Sequence, residues 1–262
     1  MHDIAIIGGG PGGLHAAHHL ANQGFSVQVF EEHATAGDPV HCTGVLAAEA
    51  FDEFDVPRAA FLNSLTTVRF FSPSGTTVEH TTPRVEAIVI DRRAFDRSLW
   101  DRAAAAGAQL RPSTKVTAVD IDDQGVHVTA DGAVETFRVC LLACGASYTF
   151  QKRLGFGIPA MYLQSAQIEV PVETPGDVEV HFGNDVAPKG FAWAVPVLRG
   201  SASFARIGLM CEHSAREHFN RFYSSVARRW KTALSDPSSV TPRIKMLPLG
   251  PIDRTYGHRA LA

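Results

Sequence analysis

The stretch IAIIGGGPGGLHAAHHL, residues 4–20, decides the fold. Ile4 to Ile7 make an apolar run the length of one buried strand, and the tail has helical spacing, with Ala16, Ala17 and Leu20 expected on its inner face. Between strand and helix, Gly8, Gly10 and Gly13 fit the GxGxxG spacing, with Pro11 and Gly12 inside the same turn. Each spaced glycine has a physical reason. Gly8 makes the tight turn, Gly10 lets the backbone approach a pyrophosphate, and Gly13 lets the helix pack close to the sheet. The helix N-terminus then offers free N–H groups and a positive dipole end to the phosphates.

Outward from this turn the pattern continues. Gly24 ends the helix, residues 26–30 form a second strand, and Glu31 follows, placed to accept hydrogen bonds from ribose hydroxyls. A strand, turn, helix, strand and acid in this order hold either FAD or a nicotinamide dinucleotide. Farther on, VIDRRAFDRSLWDRAAAAGAQL, residues 89–110, reads as a strand and a helix with Phe95, Leu99, Trp100 and Ala103 or Ala106 inward, ended by Gly107. Arg92 and Arg93 sit at its start, where the helix dipole disfavours cations. Something anionic or hydrogen-bond accepting is therefore expected beside them.

Composition narrows the partners. The chain has 262 residues, 24 basic against 27 acidic, and a net charge of −3 with no long block of either sign. That excludes the electrostatic footprint of a nucleic-acid binder. No apolar run approaches the length of a membrane span, and Asp3 opposes a cationic signal-peptide head, so the expected location is the cytoplasm, with peripheral membrane contact left open. Cys42, Cys140, Cys144 and Cys211 form no CxxC pair or zinc spacing, and no metal is expected. Cys140 alternates along a strand as a core residue does, while Cys42 lies in a loop, residues 34–44, shaped by Gly37, Pro39 and Gly44.

The second half changes character. YLQSAQIEV, DVEVHF, GFAWAVPV and SFARIGLM alternate as strands of an antiparallel sheet, followed by a helix over about residues 215–230. Residues 65–83 also read as strands of this sheet. The expected domains are therefore 1–64 with 84–158 and a returning end at 248–262, and 65–83 with 159–247. Tyr162, Phe182, Phe191 and Trp193 are candidates to wall an apolar pocket, with plain core as the competing reading.

The glycine fingerprint with Glu31, the segment Asp91-Arg92-x-x-Phe95-Asp96, and the strand 138–143 leading into Ala143-Cys144-Gly145-Ala146-Ser147 carry a resemblance. In order and spacing over nearly the whole chain they resemble the FAD-dependent geranylgeranyl reductase family within the p-hydroxybenzoate-hydroxylase-like flavoproteins. HCTGVL, residues 41–46, is similar to that family's active-site cysteine loop, and GFAWAVPV, residues 190–197, to its aromatic-x-Trp-x-x-Pro substrate motif.

The resemblance implies an α/β fold in which an FAD/NAD(P)-binding Rossmann-like domain interleaves with an antiparallel-sheet substrate domain. It implies FAD held by Gly8, Gly10, Pro11, Gly12, Gly13, Glu31, Cys42, Arg92 and Gly145. Cys144 stands where the superfamily commonly has an acid. Cys42 would act as proton donor or positioner near the flavin ring, and Tyr162, Phe191, Trp193 and Pro196 would meet an isoprenoid lipid or other apolar substrate. Electrons would come from NAD(P)H or a ferredoxin-like protein. An aromatic monooxygenase or halogenase on the same fold is the alternative. A third reading is an inactive fragment, because residues 257–262 look like the strand that in this family leads into a second, Gly-Asp flavin motif; a chain ending there is expected to hold FAD weakly.

Overall fold

The opening apolar run forms the strand His2–Ile7, buried from Ile4 onward. It pairs in parallel with Val27–Phe30 on one side and Ala133–Leu142 on the other. Ala260–Leu261 and Gln109–Arg111 extend the parallel set at its two ends. This parallel sheet belongs to the first of two units in a computed structural model that describes residues 2–234 and 236–262. The first unit is Met1–Val40, Arg92–Ala160 and Gly250–Ala262; the second is His41–Asp91 and Met161–Leu249.

In the first unit, helices Pro11–Asn22 and Arg92–Ala105 pack on one another. The first buries Gly13, Leu14 and Ala17, while Ala16 and Leu20, expected inward, are only half-buried. The reason is the close seat of Gly13 on Gly8, which sets the helix rotation and brings 13, 14 and 17 inward at helical spacing. The second buries Phe95, Asp96, Leu99 and Ala103, leaving Trp100 and Ala106 half-buried. The strands Val116–Ile121 and Val126–Ala130 return antiparallel onto Ala133–Leu142. Their side chains join Ala5, Ile7, Phe30, Phe137 and Cys140 in one apolar cluster, so Cys140 is core.

The second unit is built on a seven-stranded sheet in the order Arg243–Leu249, Met161–Pro171, Ala202–Cys211, Phe191–Arg199, Val178–His181, Thr67–Phe71 and Thr77–Thr81. Its pairs are antiparallel except Val178–His181 with Thr67–Phe71, which run parallel, against the all-antiparallel expectation. Helix Ala215–Trp230 lays Phe219, Tyr223, Val226 and Trp230 on Ala192, Ala194, Ala205, Ile207 and Leu209 of one face. On the other face Trp193, Val195 and Val197 meet Val45, Leu62, Leu65 and Val89.

Those last residues explain why the units divide where they do. Val45–Ala47, Ala87–Ile90 and Phe61–Leu65 form a three-stranded sheet of their own. Its apolar side is buried on the large sheet, so residues 41–64 and 84–91, expected with the first domain, cluster with the second. Asn63 adds polar ties: its amide donates to the Pro196 carbonyl and accepts from the Leu198 N–H.

Candidate functional site

In the first unit the glycine turn and its neighbours form a cradle. Gly8 has φ +114°, and a Cβ there would stand 2.3 Å from the Ala143 carbonyl oxygen. A Cβ on Gly13 would stand 2.1 Å from the Gly8 carbonyl oxygen. Both positions exclude any side chain, because such a contact lies far inside van der Waals range. Gly10 and Gly12 are different: nothing lies within 4 Å of where their Cβ atoms would be. Their bareness serves no contact within the chain, and it leaves the rim of the turn open to a ligand. Gly10 is also the N-cap of the helix, with no side chain capping it and proline in the first turn. The leading amides are thereby left for an outside acceptor.

Glu31 spans this turn. One carboxylate oxygen accepts the Gly9 N–H at 2.7 Å, and the other accepts the His33 N–H at 2.8 Å and meets His33 Nδ1 at 2.6 Å. Glu31 therefore fixes the glycine backbone before any ribose arrives, and a carboxylate has lone pairs left to accept more. His33 is a partner the sequence reading missed; its only signal is the spacing of two from Glu31. Gly145, with φ +59° and open space at its Cβ position, completes the rim, and the Cys144 thiol donates to the Ile7 carbonyl at 3.4 Å. Burial, followed by the charges of Glu32 and Glu31, pushes the Cys144 thiol up to about 11.

The arginines at the start of helix Arg92–Ala105 find their anions within the protein. Arg92 reaches the buried Asp96 through Nε and Nη2 at 3.1–3.3 Å, and Arg93 reaches Asp38 at 3.0 Å. Burial raises the Asp96 carboxyl above its usual value, against the pull of Arg92. The compensation expected from a ligand is thus supplied in part by these two aspartates. Gly37 is the condition for the first pair, since a Cβ there would lie 2.9 Å from Asp96 Cβ.

In the second unit Cys42 is a free, exposed cysteine whose sulfur accepts the Gly44 N–H at 3.3 Å. Thr43 is held from both ends. Its hydroxyl donates to Gln167 Oε1 at 3.0 Å, and its carbonyl accepts from Arg206 Nη1 at 2.5 Å. The sequence signal for Arg206 is a lone cation inside the otherwise apolar run SFARIGLM.

The four substrate candidates, Tyr162, Phe191, Trp193 and Pro196, do not share one face of the sheet. Phe191 and Trp193 alternate onto one face of the seven-stranded sheet, their ring centroids 5.7 Å apart. Phe182 and Phe70 continue the row, with successive centroids 6.3 Å apart. Pro196 stands an odd number of residues from Trp193, opposite Ala205, and so faces the helix Ala215–Trp230 side. Tyr162, two residues before Gln164 whose side chain accepts the Ala215 N–H, has that same facing. The expectation of a common lining is corrected: the sheet lies between the two pairs. Trp193 rests on Gly208, where a Cβ would be 2.6 Å from its ring, and its buried indole N–H has no hydrogen-bond partner among the described residues.

Among the described residues no group of three or more His, Cys, Asp or Glu is arranged to hold a metal ion, and no helix is long and apolar enough to cross a membrane.

Residues 2–168 match the pyridine nucleotide-disulphide oxidoreductase family. The digeranylgeranylglycerophospholipid reductase of Methanoculleus marisnigri is 30% identical over 251 residues, covering 88% of this chain and 63% of that protein. The reductase of the same name from Methanocaldococcus jannaschii is 28% identical, covering 98% of this chain and 68% of its own length. Among solved structures, a geranylgeranyl bacteriochlorophyll reductase-like protein of Thermoplasma acidophilum superimposes with a TM-score of 0.85 at 20% identity, over 99% of this chain and 70% of that one. The α/β flavoprotein fold is thereby shown, and this chain spans about two thirds of the length of these relatives.

Proposed function

The chain belongs to the pyridine nucleotide-disulphide oxidoreductase family, and from that premise we propose that it holds FAD and reduces isoprenoid double bonds of a lipid or lipid precursor in the cytoplasm. The observation that carries the cofactor is the pair of open glycines, Gly10 and Gly12, in a turn whose Gly8 and Gly13 are closed by backbone and whose Gly9 is closed by the Glu31 side chain. The residues fit a dinucleotide. Gly8, Gly10, Pro11, Gly12 and Gly13 would line its pyrophosphate, Gly145 would pass close to its adenosine half, Glu31 would accept from a ribose, and Arg92, with Asp96 as its counter-ion, would offer a further donor.

The chemistry a bound FAD would supply is hydride transfer to the alkene, with NAD(P)H or a ferredoxin-like protein as the electron source. The chain's own residues do the rest. An isolated double bond takes up one proton with the hydride, and the Cys42 thiol is the group proposed to deliver or align it. The aromatic row Phe70, Phe182, Phe191 and Trp193 would hold an apolar chain and exclude water. Tyr162 and Pro196 drop out of this role, because they face the helix side. The named relatives support the isoprenoid substrate.

The test is to load the purified protein with FAD, reduce it, and offer a geranylgeranyl lipid. The expected product gains two hydrogens per reduced bond by mass spectrometry, and Cys42→Ala slows its formation. A flavin-loaded protein that leaves every prenyl bond intact while hydroxylating or halogenating an aromatic ring would reject this reading in favour of the alternative on the same fold.

A further inference from the structure

On the sheet face that carries Phe191 and Trp193, strand Ala202–Cys211 presents Phe204, Arg206, Gly208 and Met210 in alternation. Phe204 and Met210 pack on the apolar cluster there. Arg206 lies among them with only 5% of its surface exposed. A guanidinium in such a place is costly unless its donors are used. Its Nε donates to Glu169 Oε2 at 2.7 Å, directly across in register, and its Nη1 donates to the carbonyls of Thr43 at 2.5 Å and Ile90 at 3.0 Å. Glu169 is shared with Arg199, which also pairs with Asp91, so the cation is locked in a four-member charge chain.

The two carbonyls are the informative partners. An ion pair serving the sheet alone would end on carboxylates, whereas Arg206 reaches out to the loop before strand Val45–Ala47 and to the end of strand Ala87–Ile90. These two backbone pieces are themselves joined, because the Ile90 N–H donates to the Gly44 carbonyl at 2.8 Å. Arg206 and that bond close a clamp on residues 43 and 44. The Gly44 N–H held in the clamp is the one that points at the Cys42 sulfur.

We propose that Arg206 is a positioning residue for the thiol: by holding the Thr43 and Ile90 carbonyls together it fixes the turn that aims the Gly44 N–H at Cys42. The inference rests on the role given to Cys42 in the proposed function. A planar fork bridges two carbonyls from one side chain, and a lysine reaches them only as a point charge. Arg206→Lys therefore keeps the charge and weakens the clamp, while Arg206→Gln removes both.

The experiment uses the full chain loaded with FAD, in wild type, Arg206→Lys, Arg206→Gln and Cys42→Ala, and reads amide hydrogen exchange peptide by peptide beside kcat and KM. Arg206→Gln is expected to raise exchange in the peptide holding residues 42–44 by about tenfold or more, with Arg206→Lys between it and wild type. The helix Ala215–Trp230 should stay protected in both. In the same variants kcat should fall in that order while KM stays within about twofold, as for an interaction expressed in the chemical step. Unchanged exchange at 42–44 in both variants overturns the proposal, and so does a rise spread evenly over the second unit, which marks a general stabilising ion pair. If Arg206→Gln fails to fold, Arg206→Lys alone decides by the same two criteria. Loosened residues 42–44 with kcat unaltered in Cys42→Ala leave Arg206 as the clamp and remove Cys42 from the reaction, so the two failures are distinguishable.

Discussion

The turn at residues 8–13 and the turn at residues 42–44 are held by opposite means. The first is shaped by missing side chains: Gly8 and Gly13 leave room for backbone to touch backbone. The second is shaped by side chains that arrive from far along the chain, Gln167 from 124 positions away and Arg206 from 163. A turn of the first kind breaks when an atom is added, and one of the second kind when a distant atom is removed. The second exists only once the sheet has formed.

The largest effect expected from this contrast is at Gly13. Gly13→Ala puts a methyl 2.1 Å from the Gly8 carbonyl oxygen, and the Ala143 and Ile6 side chains at 3.1 and 3.2 Å leave it nowhere to go. A loss of about 3 kcal/mol or more is expected, the upper end for overpacked core positions, visible as a collapsed melting midpoint or insoluble protein. A melting curve equal to wild type would break the claim that this turn is built on close approach.

Next comes acid. In the second unit, burial works to raise the Glu179 carboxyl, but hydrogen bonds from His181, Arg229 and Trp230 outweigh it and hold the group at about 2 against an ordinary 4.5. The folded value is the lower one, so the stabilisation is present above pH 4.5 and drains away as pH falls toward 2. About 2–3 kcal/mol should be lost across that window. Urea unfolding of wild type and Glu179→Gln at a series of pH values checks it: the variant should lack that part of the slope.

A smaller loss is expected at Glu31. Removing its carboxylate in Glu31→Ala frees the Gly9 and His33 amides, at a cost of about 1–2 kcal/mol by chemical denaturation, with weaker FAD retention. The smallest effect leaves stability untouched. Burial pushes the Cys140 thiol to about 12 and Cys144 to about 11, and raises Cys211 as well, whereas Cys42 is exposed. A thiol reagent at neutral pH should modify one cysteine quickly, and peptide mapping should find it at Cys42. Fast labelling at Cys144 instead would show that the first unit's rim is looser than drawn.

The same contrast governs what a reader of the sequence could see. The strand His2–Ile7, the glycines and Glu31 are legible because each residue type at its spacing has one physical job, although Gly8 closes on Ala143 far along the chain. The facing of Pro196 against Trp193 is also legible, by strand alternation alone, although a motif read as a unit hides it. Tyr162 requires the register of Met161–Pro171 against Ala202–Cys211, which no local pattern sets. Arg206 and Gln167 are harder still, since the carbonyls and hydroxyl of Thr43 and Ile90 that they meet lie over a hundred positions away. The placement of residues 41–64 and 84–91 follows the same rule: their three short strands pair with each other, and only the assembled sheet shows what their apolar side covers.

The central claim is that the open glycines of the first turn are a dinucleotide seat, and Gly10 tests it most directly. Its backbone, φ −78° and ψ 178°, suits any residue, and no atom lies within 4 Å of a Cβ placed there. Gly10→Val should therefore fold as well as wild type, within about 0.5 kcal/mol for a surface change away from special contacts. Its side chain would fill the space that the pyrophosphate needs, so a fluorescence titration should show FAD binding weakened by roughly a hundredfold or more. A folded Gly10→Val protein that takes up FAD with wild-type affinity, or a wild-type protein that binds NADH and not FAD, would contradict the account.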